Sequence, residues 1–206
     1  PSFNTSDSWK FTGDTEASFA SVDDGTSLSG VFGLASDSQR IYAVGSFDDG
    51  DDYESAEGSV DATQYERDVF GIGYGFRTGV HEFEVNLHTL ETEDTGTPGL
   101  PMDIDWFDTS VWNISYRTEV GPVGIALQIY GSDIDHGMSN SLLRPTPDFS
   151  NLPLPPFVGD DNRAVITSSD ETGFKVSLDW AVGEGSMVAG VEGKDAKHDA
   201  TVSDPD

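Results

Sequence analysis

Apolar and polar residues alternate along most of this chain, and the alternation predicts strands. Trp9, Phe11, Gly13, Thr15, Ala17 and Phe19 fall on one face of a first segment; Lys10, Thr12, Asp14, Glu16 and Ser18 fall on the other. Leu28, Gly30, Phe32 and Leu34 continue the pattern after a turn at Asp23-Asp24-Gly25-Thr26. Ile41, Ala43, Gly45 and Phe47 make a third strand, on which Tyr42 and Val44 render both faces partly apolar. Phe70, Ile72, Tyr74 and Phe76 oppose Val69, Gly71, Gly73 and Gly75. The glycine run reads as a thinning of one face of a curved sheet. Five further strands are marked by Phe83, Val85 and Leu87; Trp112, Ile114 and Tyr116; Val123, Ile125, Leu127 and Ile129; Phe174, Val176, Leu178 and Trp180; and Met187, Ala189 and Val191.

The connections sort by length. Turns at Ser36, Thr78, Val120 and Val182 are tight, whereas loops spanning about residues 48–61, 91–108 and 132–163 grow along the chain. Only the short turn at Asp23 breaks the rule. In an up-and-down sheet this puts the long loops on one rim, as in outer-membrane barrels with short periplasmic turns. Each strand supplies the roughly 9–11 residues that a tilted transmembrane strand needs. Trp9, Trp112, Tyr116, Tyr130 and Trp180 lie towards strand ends, where an aromatic girdle belongs. The expected architecture is all-β: an antiparallel up-and-down transmembrane β-barrel. Residues 1–206 form part of a single barrel domain. The odd strand count and a polar ending at Ala200 to Asp206 mark this as an N-terminal portion, about nine strands, of a larger barrel.

Composition narrows the function. With 38 acids against 10 bases the formal charge is −28, which excludes nucleic-acid binding through a basic surface. The excess reads first as solvation in a salt-rich habitat, and second as loops that gather cations. An aromatic content of 11% argues against disorder. Cysteine is absent, so neither a disulfide framework nor a thiol nucleophile exists. No G-x-S-x-G elbow, H-E-x-x-H motif or phosphate-cradling loop occurs, so nothing points to an enzyme.

One pair of residues carries candidate metal chemistry. His136 and Met138 open the longest predicted loop, and in extended chain residues i and i+2 face the same way. An imidazole and a thioether on one side suit a soft cation, Cu(I) best, although two ligands are too few for tight binding. Met102, in the neighbouring outer loop, is a secondary candidate whose bland alternative is packing against Trp106 or Phe107. The carboxylates of Asp48 to Asp52 offer Ca²⁺ ligands without ordered EF-hand spacing, and a solvated loop is the simpler reading. His81 and His88 read as residues of the wet strand face, and His198 as a strand end or surface loop.

The chain resembles the TonB-dependent outer-membrane receptors, specifically their copper-receptor branch. Gly50-Asp51-Asp52-Tyr53-Glu54 lies in the corresponding loop. Pro98-Gly99-Leu100-Pro101-Met102-Asp103 resembles that branch's P-G-x-P-M-D loop. Asp135-His136-Gly137-Met138-Ser139-Asn140 is similar to its D-H-x-M-D-N segment, with Ser139 in place of Asp, and Leu142-Leu143-Arg144 is similar to the L-R that follows. The resemblance implies a roughly 22-stranded barrel around a globular plug. It implies copper held at the extracellular mouth by barrel His and Met with plug Cys and Met, residence in the bacterial outer membrane among its lipids, and engagement of TonB through the plug. Of the ligand pattern, His136 and Met138 match. The plug domain and the TonB box are expected to lie outside this chain. A passive porin is a variant of this reading. A secreted acidic β-sandwich, working as an adhesin or Ca²⁺-binding module, is the alternative of a different class.

Overall fold

The computed structural model describes residues 2–146 and 162–203. Nine long strands form one antiparallel meander: β1 (Lys10–Ala20), β2 (Gly25–Ala35), β3 (Gln39–Gly50), β6 (Tyr65–Thr78), β7 (His81–Thr95), β8 (Asp103–Val120), β9 (Val123–Ser139), β10 (Ala164–Val182) and β11 (Gly185–Ser203). Between β3 and β6 a small separate hairpin, β4 (Tyr53–Ser55) and β5 (Gly58–Val60), stands inside the acidic loop. The sheet remains open in this chain. β1 and β11 are its edges, and an odd number of antiparallel strands makes them run the same way.

The register lines up the sequence pattern into faces. One row, read strand by strand from β1 to β11, is Phe11, Leu34, Ile41, Tyr74, Val85, Ile114, Ile129, Phe174 and Gly193. The adjacent row on the opposite face is Thr12, Gly33, Tyr42, Gly73, Asn86, Asn113, Tyr130, Gly173 and Lys194. The apolar row is not a core. Phe70 is 51% exposed, Ile129 48% and Phe174 46%, and among the described residues only Ala35 and Ala62 are buried hydrophobics. Among the described residues no second sheet covers this face, so they do not form the two-layer packing of a β-sandwich. A soluble protein does not leave an apolar face of this extent bare; a lipid-facing barrel wall does.

The apolar belt crosses the strands obliquely. On β1 to β3 it extends towards the long-loop rim through Ala17, Leu28 and Phe47; the same row on β6 to β9 continues as Asp68, Glu91, Asp108 and Asp135. At the other rim the belt runs lower on β9 to β11, through Ile125, Leu178, Trp180 and Met187. A belt inclined to the hydrogen-bonded rows is what tilted, staggered strands produce when they meet a flat membrane.

The opposite face is a polar network. The Tyr42 hydroxyl donates to Asn86 Oδ1 at 2.8 Å and lies 3.3 Å from His88 Nε2; Asn86 Nδ2 donates to Asn113 Oδ1 at 3.1 Å. Arg40 pairs with Glu84 at 2.5 Å. The glycine run on β6 makes room for these groups. A Cβ on Gly73 would lie 2.1 Å from the Tyr42 ring, and one on Gly71 would lie 2.4 Å from His88.

Several expectations are corrected. The strands on the long-loop side do not stop where apolar alternation stops. β7 runs to Thr95, β8 begins at Asp103 and β9 runs to Ser139, so the predicted loop at residues 91–108 is largely strand and the one at 132–163 opens with eight residues of β9. The backbone ladder needs no apolar side chains, only a partner strand. His198 is inside β11, opposite Ser169, and residues 200–203 continue the strand rather than forming a loop. His81 belongs to the apolar face with Phe83, two residues on. Its ring stacks on Tyr116 at 6.0 Å, and Nδ1 lies 2.8 Å from that hydroxyl. Tyr130 faces the polar side and donates to Glu192 at 2.7 Å, so it is not a girdle residue. Residues 147–161 of the predicted long loop lie outside the described residues.

Candidate metal centre at the long-loop rim

His136 and Met138 lie in the last turn of the β9 ladder, not in a loop. His136 is opposite Phe107 on β8 and Thr167 on β10; Met138 is opposite Ile104 and Val165. Both share the parity of Gln128 and Tyr130, so they occupy the polar face beyond the apolar belt. Two strand neighbours therefore brace the segment, and the expected one-sided i, i+2 display holds.

The imidazole is positioned on two sides. Its ring stacks on Phe107 with centroids 5.3 Å apart and planes 23° apart. The Thr167 hydroxyl lies 2.8 Å from Nδ1 and 3.0 Å from Nε2. A single hydroxyl serves one ring nitrogen at a time, which leaves the other available as a metal ligand. Gly137 separates the two donors and lies under Trp106, whose Nε1 would be 2.4 Å from a Cβ at that position. Phe107 and Trp106 are thus both committed to β9, the first on His136 and the second on Gly137. Sequence reasoning missed Phe107 and Thr167 as the flanks of His136. The β9–β10 register that brings Thr167 there is invisible to local pattern.

Met102 stands one residue before β8 on the same rim. Asp103 pairs with Ser139, so the Met102 backbone lies one position past the ladder, beside the end of the segment that carries Met138. Its carbonyl accepts a bond from the Thr97 hydroxyl. Ser139, the departure from the Asp of the resembled motif, donates to Asp105 Oδ1 at 2.8 Å. Burial raises the Asp105 carboxyl above its ordinary value, so a second carboxylate in place of Ser139 would meet repulsion here.

Among the described residues no three His, Cys, Asp or Glu side chains converge to hold a metal. In the acidic loop, whose simpler reading is a solvated one with Ca²⁺ as the lesser alternative, Asp52 serves the backbone, and Asp23 does so in the neighbouring turn. Asp52 Oδ1 accepts from the amides of Thr63 at 2.8 Å and Gln64 at 3.1 Å, and Asp23 accepts from Gly25 N and the Tyr65 hydroxyl. His136, Met138 and Met102 remain the soft donors that the register brings to one rim.

Comparisons with known proteins agree with this architecture. No family model matches the chain, and no curated protein does. Among solved structures the chain is similar to one titled Copper transporter OprC, with a TM-score of 0.78, 20% sequence identity and 96% of this chain covered. This chain spans 30% of that protein's length. At this identity the likeness is one of fold: the nine-stranded meander is built like part of that transporter's barrel.

Proposed function

We propose that this chain is the barrel portion of a TonB-dependent receptor in a bacterial outer membrane, and that it binds copper at the extracellular mouth for uptake. The observation that carries this reading is the position of His136 and Met138 on the polar face, past the exposed apolar belt and at the rim of the longer connections. The likeness in fold to a copper transporter supports it. The unpaired edges β1 and β11 also support it. They run the same way and differ in length, 11 against 19 residues, so further strands would complete the wall.

In this reading His136 supplies one ring nitrogen while Thr167 holds the other, and Met138 supplies a thioether. Both donor types match Cu(I). The remaining ligands come from Met102 or from outside the described residues, including the plug through which TonB would act. The carboxylates ringing the rim raise the local cation concentration before capture. The test is copper content after anaerobic loading with Cu(I), in detergent, of wild type, His136→Ala and Met138→Ala. Loss of copper in both variants is expected; equal copper in all three rejects the site. Heat-modifiable migration on a gel, expected of a folded membrane barrel, is checked on the same samples.

A further inference from the structure

The loop that carries Met102 is wrapped around one buried ion pair. The Asp103 side chain is 0% exposed and that of Arg144 12%, with Arg144 Nε 3.0 Å from Asp103 Oδ2. The other Asp103 oxygen accepts from Thr97 N at 2.8 Å and from its hydroxyl at 3.3 Å. Arg144 Nη2 donates to the carbonyl of Leu100 at 2.6 Å and reaches that of Thr97 at 3.5 Å. Thr97 in turn bonds the Met102 carbonyl. One guanidinium, arriving from beyond the end of β9, thereby fixes both ends of the loop that leads into β8. The loop's start is fixed as well. Gly96 N donates to Gln64 O at 2.9 Å, and a Cβ on Gly96 would lie 1.9 Å from the Ala62 carbonyl oxygen.

A largely desolvated ion pair is a poor way to gain stability, because the cost of taking the charges out of water offsets most of their attraction. It is a good way to fix geometry. The planar guanidinium holds a carboxylate and a carbonyl together, which a lysine ammonium cannot do with the same reach. What this pair fixes is the backbone on either side of Met102, one position past the ladder that ends at Asp103 and Ser139.

We infer that Arg144, through its buried pair with Asp103, is a positioning residue that holds Met102 at the end of β9 so that its thioether joins His136 and Met138 as a third soft donor. This rests on the copper reading and specifies its ligand set. The experiment is a double-mutant cycle on Cu(I) affinity, measured anaerobically in detergent against a competing chelator. Met102→Leu and Arg144→Lys are each expected to weaken binding roughly tenfold, the lower end for residues that orient a metal ligand. The combined variant is expected to bind no more weakly than Met102→Leu alone. Thr97→Val, which deletes the hydroxyl's bonds to the Met102 carbonyl and to Asp103 Oδ1, replaces Arg144→Lys if that variant fails to fold. The inference is overturned if Met102→Leu leaves affinity unchanged, or if the second substitution weakens binding as much without the Met102 thioether as with it. His136→Ala separates the two levels. If it abolishes binding while Met102→Leu does nothing, only the inference fails; if it too does nothing, the copper reading falls with it.

Discussion

β9 is two regions in one strand. From Val123 to Ile129 its odd positions are apolar, with Val123 and Ile125 half-buried and Leu127 and Ile129 exposed; from Gly131 to Ser139 the same positions are Gly131, Asp133, Asp135, Gly137 and Ser139. The hydrogen-bonded ladder to β8 and β10 runs through both regions, interrupted only by a bulge between Ile104 and Trp106. The difference is in the solvent, not the backbone. In lipid every backbone group needs an internal partner and the side chain must be apolar. Beyond the lipid the ladder persists, and the outward side chain is free to be a carboxylate. On the proposed membrane reading the belt is held by its match to lipid, while the rim is held by specific polar locks such as Asp103–Arg144. The proposed copper donors, His136 and Met138, lie towards the end of the second region.

The two regions should fail differently. The largest effect is expected from Arg144→Ala, which leaves the Asp103 charge buried without its partner and should cost about 3–5 kcal/mol of rim stability. Hydrogen exchange should accelerate at the start of β8 and the end of β9 while the belt portions of both strands stay protected. Next, Ile129→Lys in the belt should cost about 2–4 kcal/mol in urea unfolding from lipid vesicles, while Asp108→Lys, a few rows away and also outward, should fall within about 0.5 kcal/mol of wild type. Equal costs at the two positions would erase the boundary. On the polar face, Gly73→Ala should cost about 1–3 kcal/mol, because the added methyl meets the Tyr42 ring and the Asn86 side chain and disturbs their bond.

The smallest effect is electrostatic and confined to the rim. Burial raises the carboxyls of Glu66 and Asp105, the first also through its neighbours Glu93 and Asp49. A carboxyl whose native value is raised binds its proton more tightly folded than unfolded. Its contribution is fully present below the ordinary carboxylate value and is lost as pH rises through the raised native one. Rim opening, followed by exchange corrected for intrinsic rates, should therefore become rarer as pH falls from neutral into that window. Added salt should act in the same direction at neutral pH by screening the carboxylates.

The belt was legible in the sequence because a strand with one apolar face imposes a period of two on its side chains. Phe11, Ile41, Ile114 and Phe174 announce their face one residue at a time. The tight turns were equally plain. The strand ends on the long-loop side were not, since Asp108, Asp133 and Asp135 look like loop residues once the apolar signal stops. His81 was put on the wrong face because it is polar, although its spacing from Phe83 assigns it correctly. At the site, the His136 and Met138 pairing was readable from their i, i+2 spacing. Phe107 and Thr167, which hold the imidazole, depend on registers across two strand pairs and leave no local trace. The Asp103–Arg144 pair likewise joins residues that only the fold brings together.

The most direct test of the central claim exploits the absence of cysteine. Single cysteines carrying an environment-sensitive fluorophore would be placed at Ile114, Ile129, Tyr130 and Asp135 in the protein reconstituted into vesicles with quencher-labelled lipid. The account predicts strong quenching at Ile114 and Ile129, and little at Tyr130, on the opposite face, or at Asp135, beyond the belt. Quenching at Tyr130 as strong as at Ile129, or none at either isoleucine position, would contradict it.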